Sequence, residues 1–269
     1  MMRYTALLLL CSLILSSCSQ NLVTGRKQLS LVSEPELQSL AKSEYQAFLN
    51  ENKVLSPNNN KNAEMVNRAG LRISSAIKSF YDRKGQSSVL AGYDWKFNLV
   101  EDKTANAWCM PGGKVVVYTG LLNITQTEAG LAIVLGHEIA HAVAQHGSER
   151  MSQALLQQLG GNALGIALAN KPSETQRVFQ TAYGLGSTLG GILPFSRKQE
   201  AEADKYGLYF AAMAGYDPRV SIPLWERMAK SGGAKEIAFL SSHPSDASRI
   251  AKMKESMPQA LKYYKPGKK

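Results

Sequence analysis

Cysteine is scarce and long apolar runs are missing. Three cysteines in 269 residues are too few for a disulfide-stapled scaffold. The apolar stretch at the start, Tyr4 to Ser17, has 14 residues, short of the roughly 18 that cross a bilayer as a helix. A second one, Ala154 to Asn170, is interrupted by Gln157, Gln158 and Asn162. No internal repeat is visible, which excludes solenoids and propellers. No basic helix with interleaved aromatics stands out, which argues against nucleic-acid recognition. What remains is ordinary globular composition, 44% apolar and 19% charged, enough for one catalytic-sized domain. Basic residues outnumber acidic ones by 31 to 21, a net +10 that fits solvated surface charge or an anionic partner such as a lipid surface.

The start of the chain reads as an address. Arg3 precedes the apolar stretch, which ends Leu15-Ser16-Ser17-Cys18. This resembles the lipobox of bacterial lipoproteins, in which small residues admit the signal peptidase and the cysteine is acylated. The expectations are a signal peptide over 1–17, lipidation of Cys18 and a lipid-anchored tether over 18–32. Ser19, where Asp would retain a lipoprotein in the inner membrane, points to the outer membrane, facing the periplasm. No nucleic-acid partner is expected of an exported chain. With Cys11 removed and Cys18 acylated, Cys109 has no intrachain partner and is either buried or paired between chains.

Ser33-Glu34-Pro35-Glu36 has the pattern of a capping box opening a helix to about Asn50. Val66, Ala69, Ile73, Ala76, Ile77 and Phe80 recur at helical spacing. Trp95 to Val100 alternates, and Lys114 to Tyr118 is β-branched after the turn Pro111-Gly112-Gly113, so both predict strands. Thr127 to Met151 predicts one long helix, apolar nearly all round and hence buried. Seven glycines fall between Met151 and Pro194, where a mobile flap over a site is one reading and a plain surface excursion the other. A single domain would span 33–269.

His137-Glu138-Ile139-Ala140-His141 is an H-E-x-x-H motif inside the long helix. Four residues advance about 400°, so both imidazoles lie on one face and can bind one Zn²⁺, with Glu138 able to reach a water there. A catalytic zinc usually takes a third protein ligand. The extended H-E-x-x-H-x-x-G-x-x-H pattern fails, since Ala144 and Gly147 occupy its glycine and histidine positions. His146, five residues past His141 on the same presumed helix, points away and is expected at the surface. The carboxylates Glu200 and Asp204 share a helix face at i,i+4, one able to ligate zinc and the other to hold a ligand imidazole. Glu202 lies on the opposite face, about 200° away, and is expected to take no part.

His137 to His141 together with Ser196-Arg197-Lys198-Gln199-Glu200-Ala201-Glu202-Ala203-Asp204 resemble the paired signatures of the HtpX and CAAX-prenyl endopeptidase family of gluzincin zinc proteases. Asn106-Ala107, Pro111-Gly112-Gly113 through Gly120-Leu121-Leu122, and His243-Pro244 with Arg249 also match. Val23-Thr24-Gly25-Arg26 resembles the periplasmic lipoprotein branch that includes LoiP and BepA. The resemblance implies an α+β, mainly helical zincin-like fold with a small sheet. It also implies one Zn²⁺ per chain on His137, His141 and Glu200, with Asp204 supporting a ligand. Glu138 would then be the general base.

Peptide hydrolysis also needs a donor for the developing oxyanion, for which His243 and Arg249 are candidates. Substrate backbone is expected to pair with Lys114, Val115, Val116 and Val117. The function expected is cleavage of unfolded or misassembled envelope proteins, with outer-membrane assembly machinery as a further partner. The alternatives are a chaperone-like assembly factor with a latent zinc site and a hydrolase of cell-wall amide bonds.

Overall fold

The computed structural model describes residues 18–159, 172–183, 195–231, 238–243 and 247–266. The signal segment, the glycine-rich parts of the flap reading at 160–171 and 184–194, and Pro244 lie outside the described residues. A hairpin of β1 (Cys18–Gln20) and β2 (Lys27–Leu29) is followed by α1 (Glu34–Glu51), β3 (Val54–Leu55) and α2 (Lys61–Arg83). Then come β4 (Lys96–Val100), β5 (Ala107–Met110), β6 (Lys114–Tyr118) and α3 (Thr119–Thr125). The remainder is helical: α4 (Glu128–Val143), α5 (His146–Leu159), α6 (Pro172–Tyr183), α7 (Arg197–Met213), α8 (Ser221–Ser231), α9 (Ala238–Ser242) and α10 (Ala247–Tyr263). The fold is α+β and mainly helical, as the resemblance implies.

The four-stranded sheet has the order β3-β4-β6-β5, with β4 and β6 parallel and the outer pairs antiparallel. Both faces of β6 are buried. Val115 and Val117 join a cluster with Ile73, Leu131 and Leu135, while Val116 packs with Leu37, Met151 and Phe179. A strand covered on both sides reads as an unbroken apolar run, and each fully buried valine contributes about 1.5–3 kcal/mol. This overturns the expectation of a substrate strand there. Lys114, Val115, Val116 and Val117 are paired on both edges, with β4 and with β5, and the Lys114 ammonium donates to Asp94. Composition shows that a strand is buried but not which neighbours flank it. Among the described residues, β5 pairs only with β6.

Helix α4 starts at Thr127, whose side chain accepts from the Gly130 amide, and is buried from Gly130 to Val143. It crosses α7 at two glycines. A Cβ on Gly136 would stand 2.6 Å from the Gly207 carbonyl oxygen, and one on Gly207 would stand 2.7 Å from the His137 nitrogen. Only hydrogen at both positions lets the backbones meet so closely.

Three local expectations change. The long helix expected over 127–151 is two helices, because Ala144 caps α4 and Gln145 takes a left-handed φ of 57° before α5 begins at His146. Ser33 occupies the N-cap of α1 but makes no side-chain cap, so the capping box is not formed. The segment read as a tether is docked on the domain. Asn21 and Gln28 are buried and donate to the Val143 and Ala144 carbonyls, at 3.2 and 2.7 Å, satisfying oxygens that the end of α4 leaves without helical partners. Cys109 is a buried free thiol, and burial pushes its pKa well up.

Candidate metal centre

The crossing of α4 with α7 decides what meets at the centre. The i,i+4 spacing puts His137 and His141 on the face of α4 that looks at α7 and α9, and their Nε2 atoms lie 3.0 Å apart. From α7, Glu200 brings Oε1 to 3.3 Å from His141 Nε2 and Oε2 to 3.6 Å from His137 Nε2. His243, just past α9, places Nδ1 2.9 Å from Glu200 Oε1 and 3.2 Å from His137 Nε2. These four residues form a group able to hold a metal ion, and each is at most 2% exposed.

The donor set fits zinc. A tetrahedral ion with nitrogen and oxygen ligands at about 2.0–2.1 Å holds them about 3.3–3.4 Å apart, and the separations found run from 2.9 to 3.6 Å. Burial pushes the pKa of His141 well down, and lowers that of His243 too, despite Glu200 beside both. Neutral imidazoles offer lone pairs. Burial opposes ionisation of Glu200, but His243, His141 and His137 outweigh it and hold the carboxyl well below its usual range. Burial pushes Glu138 up to about 8, with His137 opposing and Glu200 adding to the shift.

Further side chains pack behind these residues. Asp204 Oδ1 lies 3.0 Å from His137 Nδ1. His243 Nε2 faces Glu138 Oε1 at 3.3 Å, so the structure brings His243 into the centre. Arg249 is engaged by the carboxylates of α7. Its guanidinium donates to both Asp204 oxygens at 2.8 and 2.7 Å, stands 2.8 Å from Glu200 Oε2 and lies over Trp225. It clamps the two carboxylates of α7 in place.

His146 is the largest departure from the sequence reading. It is fully buried, with Nδ1 2.9 Å from His141 Nδ1 and Nε2 2.9 Å from Glu202 Oε2. The break at Gln145 voids the continuous-helix geometry that would have sent His146 to the surface, and Glu202, opposite Glu200 on α7, is drawn in with it. Phe195 joins the centre as well. Its ring stacks on His141 with centroids 3.8 Å apart and carries the Arg150 guanidinium on it at 3.4 Å. An isolated phenylalanine has no sequence signature for such a place.

The model of Peptidase family M48 matches residues 71–257. The chain is similar to "Mitochondrial metalloendopeptidase OMA1" of Schizosaccharomyces pombe, 38% identical over 71% of this chain and 53% of that protein. It is similar at lower identity to a "Putative beta-barrel assembly-enhancing protease" of Vibrio cholerae, 29% over 66% of this chain and 39% of the other. "Metalloprotease LoiP" of Escherichia coli is also 29% identical, over 62% of this chain and 64% of its own length. The chain spans about half the length of the OMA1 relatives it matches. Identity to the OMA1 proteins thus exceeds that to the bacterial proteases, and the broader family, rather than its HtpX and CAAX-prenyl branch, is what the match supports.

Proposed function

The chain belongs to peptidase family M48, and from that premise we propose that it is a zinc-dependent endopeptidase of unfolded or misassembled envelope proteins. One observation carries the reading: His137 Nε2, His141 Nε2 and the Glu200 carboxylate converge within 3.6 Å, with Glu138 next in sequence to the first ligand. Zinc, when bound there, acidifies water and polarises the scissile carbonyl. Glu138 takes the proton from the attacking water and delivers it to the leaving amine. Asp204 fixes the His137 ring, and Arg249 fixes Glu200 and Asp204. His243 Nδ1 stands where it would complete the ligand set, so with Phe195 stacked on His141 the centre is drawn closed. Swung outward, His243 would donate to the oxyanion. Substrate backbone would add to the outer edge of β5, whose Cys109 lines a small cavity with His141 and Phe195.

The lipobox pattern ending at Cys18 supports a lipid-anchored protein of the bacterial outer membrane, facing the periplasm, and the beta-barrel assembly in the Vibrio relative's name fits an envelope location. Among the described residues no helix is long and apolar enough to cross a membrane. Complete burial of the centre favours a second reading, an assembly factor whose zinc site stays latent. Incubating the purified chain with casein separates the two: zinc-dependent cleavage supports the peptidase, and intact casein beside a fully zinc-loaded chain supports the latent form.

A further inference from the structure

Behind His141 runs a chain of contacts that ends outside the matched range 71–257. His146 Nδ1 meets His141 Nδ1, and His146 Nε2 meets Glu202. Glu202 in turn accepts from Arg26 Nε at 2.9 and 3.2 Å. Arg26 lies on the N-terminal hairpin, 176 residues away from Glu202 in sequence and outside the matched range 71–257. Its remaining guanidinium nitrogens donate to Glu149 at 2.6 and 2.7 Å, and Glu149 accepts from Gln199 on α7 at 2.8 Å. The same hairpin caps the end of α4 through Asn21 and Gln28. It therefore fixes both the break that carries His146 inward and the carboxylate that His146 meets.

The geometry points to Arg26, Glu202 and His146 as positioning residues for the zinc ligand His141, which makes the N-terminal hairpin part of the metal centre. The inference rests on the zinc reading of that centre. For His141 to ligate through Nε2, its proton must sit on Nδ1 and be donated to His146 Nδ1; His146 Nε2–H is then donated to Glu202. Arg26 holds Glu202 in the acceptor position with a guanidinium that is itself locked by Glu149. Partners one step behind a ligand orient its ring and set its tautomer, and losing one commonly costs about 10- to 100-fold in metal affinity.

The test uses the full chain and reads zinc affinity by competition with a chromophoric chelator, beside the thermal midpoint of the metal-free protein. His146→Phe and Glu202→Gln are expected to weaken zinc binding about 10- to 100-fold. Arg26→Met is expected to weaken it less, and to add nothing once Glu202→Gln is present, since the arginine acts through that carboxylate. Arg26→Lys, which keeps the charge but cannot span both carboxylates, should fall between Arg26→Met and the parent. Should the variants lower the midpoint but leave zinc affinity within about twofold, well short of that range, the contacts are structural only and the inference falls. An Arg26→Met effect that persists in full beside Glu202→Gln overturns it as well. A parent chain that binds no zinc overturns the reading of the centre together with this inference; equal binding by parent and variants overturns this inference alone.

Discussion

Glu138 is the residue on which chemistry and stability pull apart. In the metal-free protein burial raises its carboxyl from 4.5 to about 8, so between those values the folded chain holds a proton that the unfolded chain has released. Stability then falls as pH rises through that window. Glu138→Gln removes the cost, and the metal-free variant should exceed the parent by about 4 kcal/mol at pH 8 and by little at pH 4.5. Denaturant melts at both values check this; an advantage independent of pH would show that the carboxyl is not the source. Asp204→Asn is expected to cost about 10- to 100-fold in zinc affinity through the His137 ring, read by the same chelator competition. His137 with His141 and Glu200 with Asp204 are legible because each pair is four residues apart on a helix, and Glu138 because it follows the first histidine of the motif. His146 is not, since the helix period stops at Gln145, whose left-handed turn leaves no mark in an Ala-Gln-His sequence.

The elements were legible where burial is uniform. The all-round apolar α4 and the β-branched β6 declare themselves, because a segment covered on every side needs no polar face. The pairing of β6 on both edges is a tertiary fact that its own sequence does not carry. The close crossing of α4 and α7 is similar, since Gly136 and Gly207 matter only once brought face to face. Gly207→Ala should push His137 away from Glu200 and destabilise by about 1–3 kcal/mol, with zinc content falling in parallel. A variant that keeps full zinc occupancy would show that the two backbones can separate without moving the ligands. The sequence of the β1 and β2 hairpin has the look of a tether because it has no periodicity, yet its polar side chains are spent on α4, Glu149 and Glu202.

For the whole molecule, the address and the chemistry are separable. Cys18→Ser is expected to leave the protein unacylated and to move it away from the outer-membrane fraction, while cleavage by the purified domain persists; normal fractionation with acyl label incorporated would remove the lipoprotein reading. Net charge of +10 should make residual membrane association of that variant weaken with salt. The central claim is that this chain cuts peptide bonds through zinc held by His137, His141 and Glu200 with Glu138 as base. The most direct measurement is metal analysis with a casein digest, run side by side on the parent and Glu138→Gln. The account predicts one zinc per chain in both, cleavage by the parent that a chelator abolishes and added zinc restores, and no cleavage by the variant. Casein cut equally by the zinc-loaded variant, or by the parent after its zinc has been removed, would contradict it.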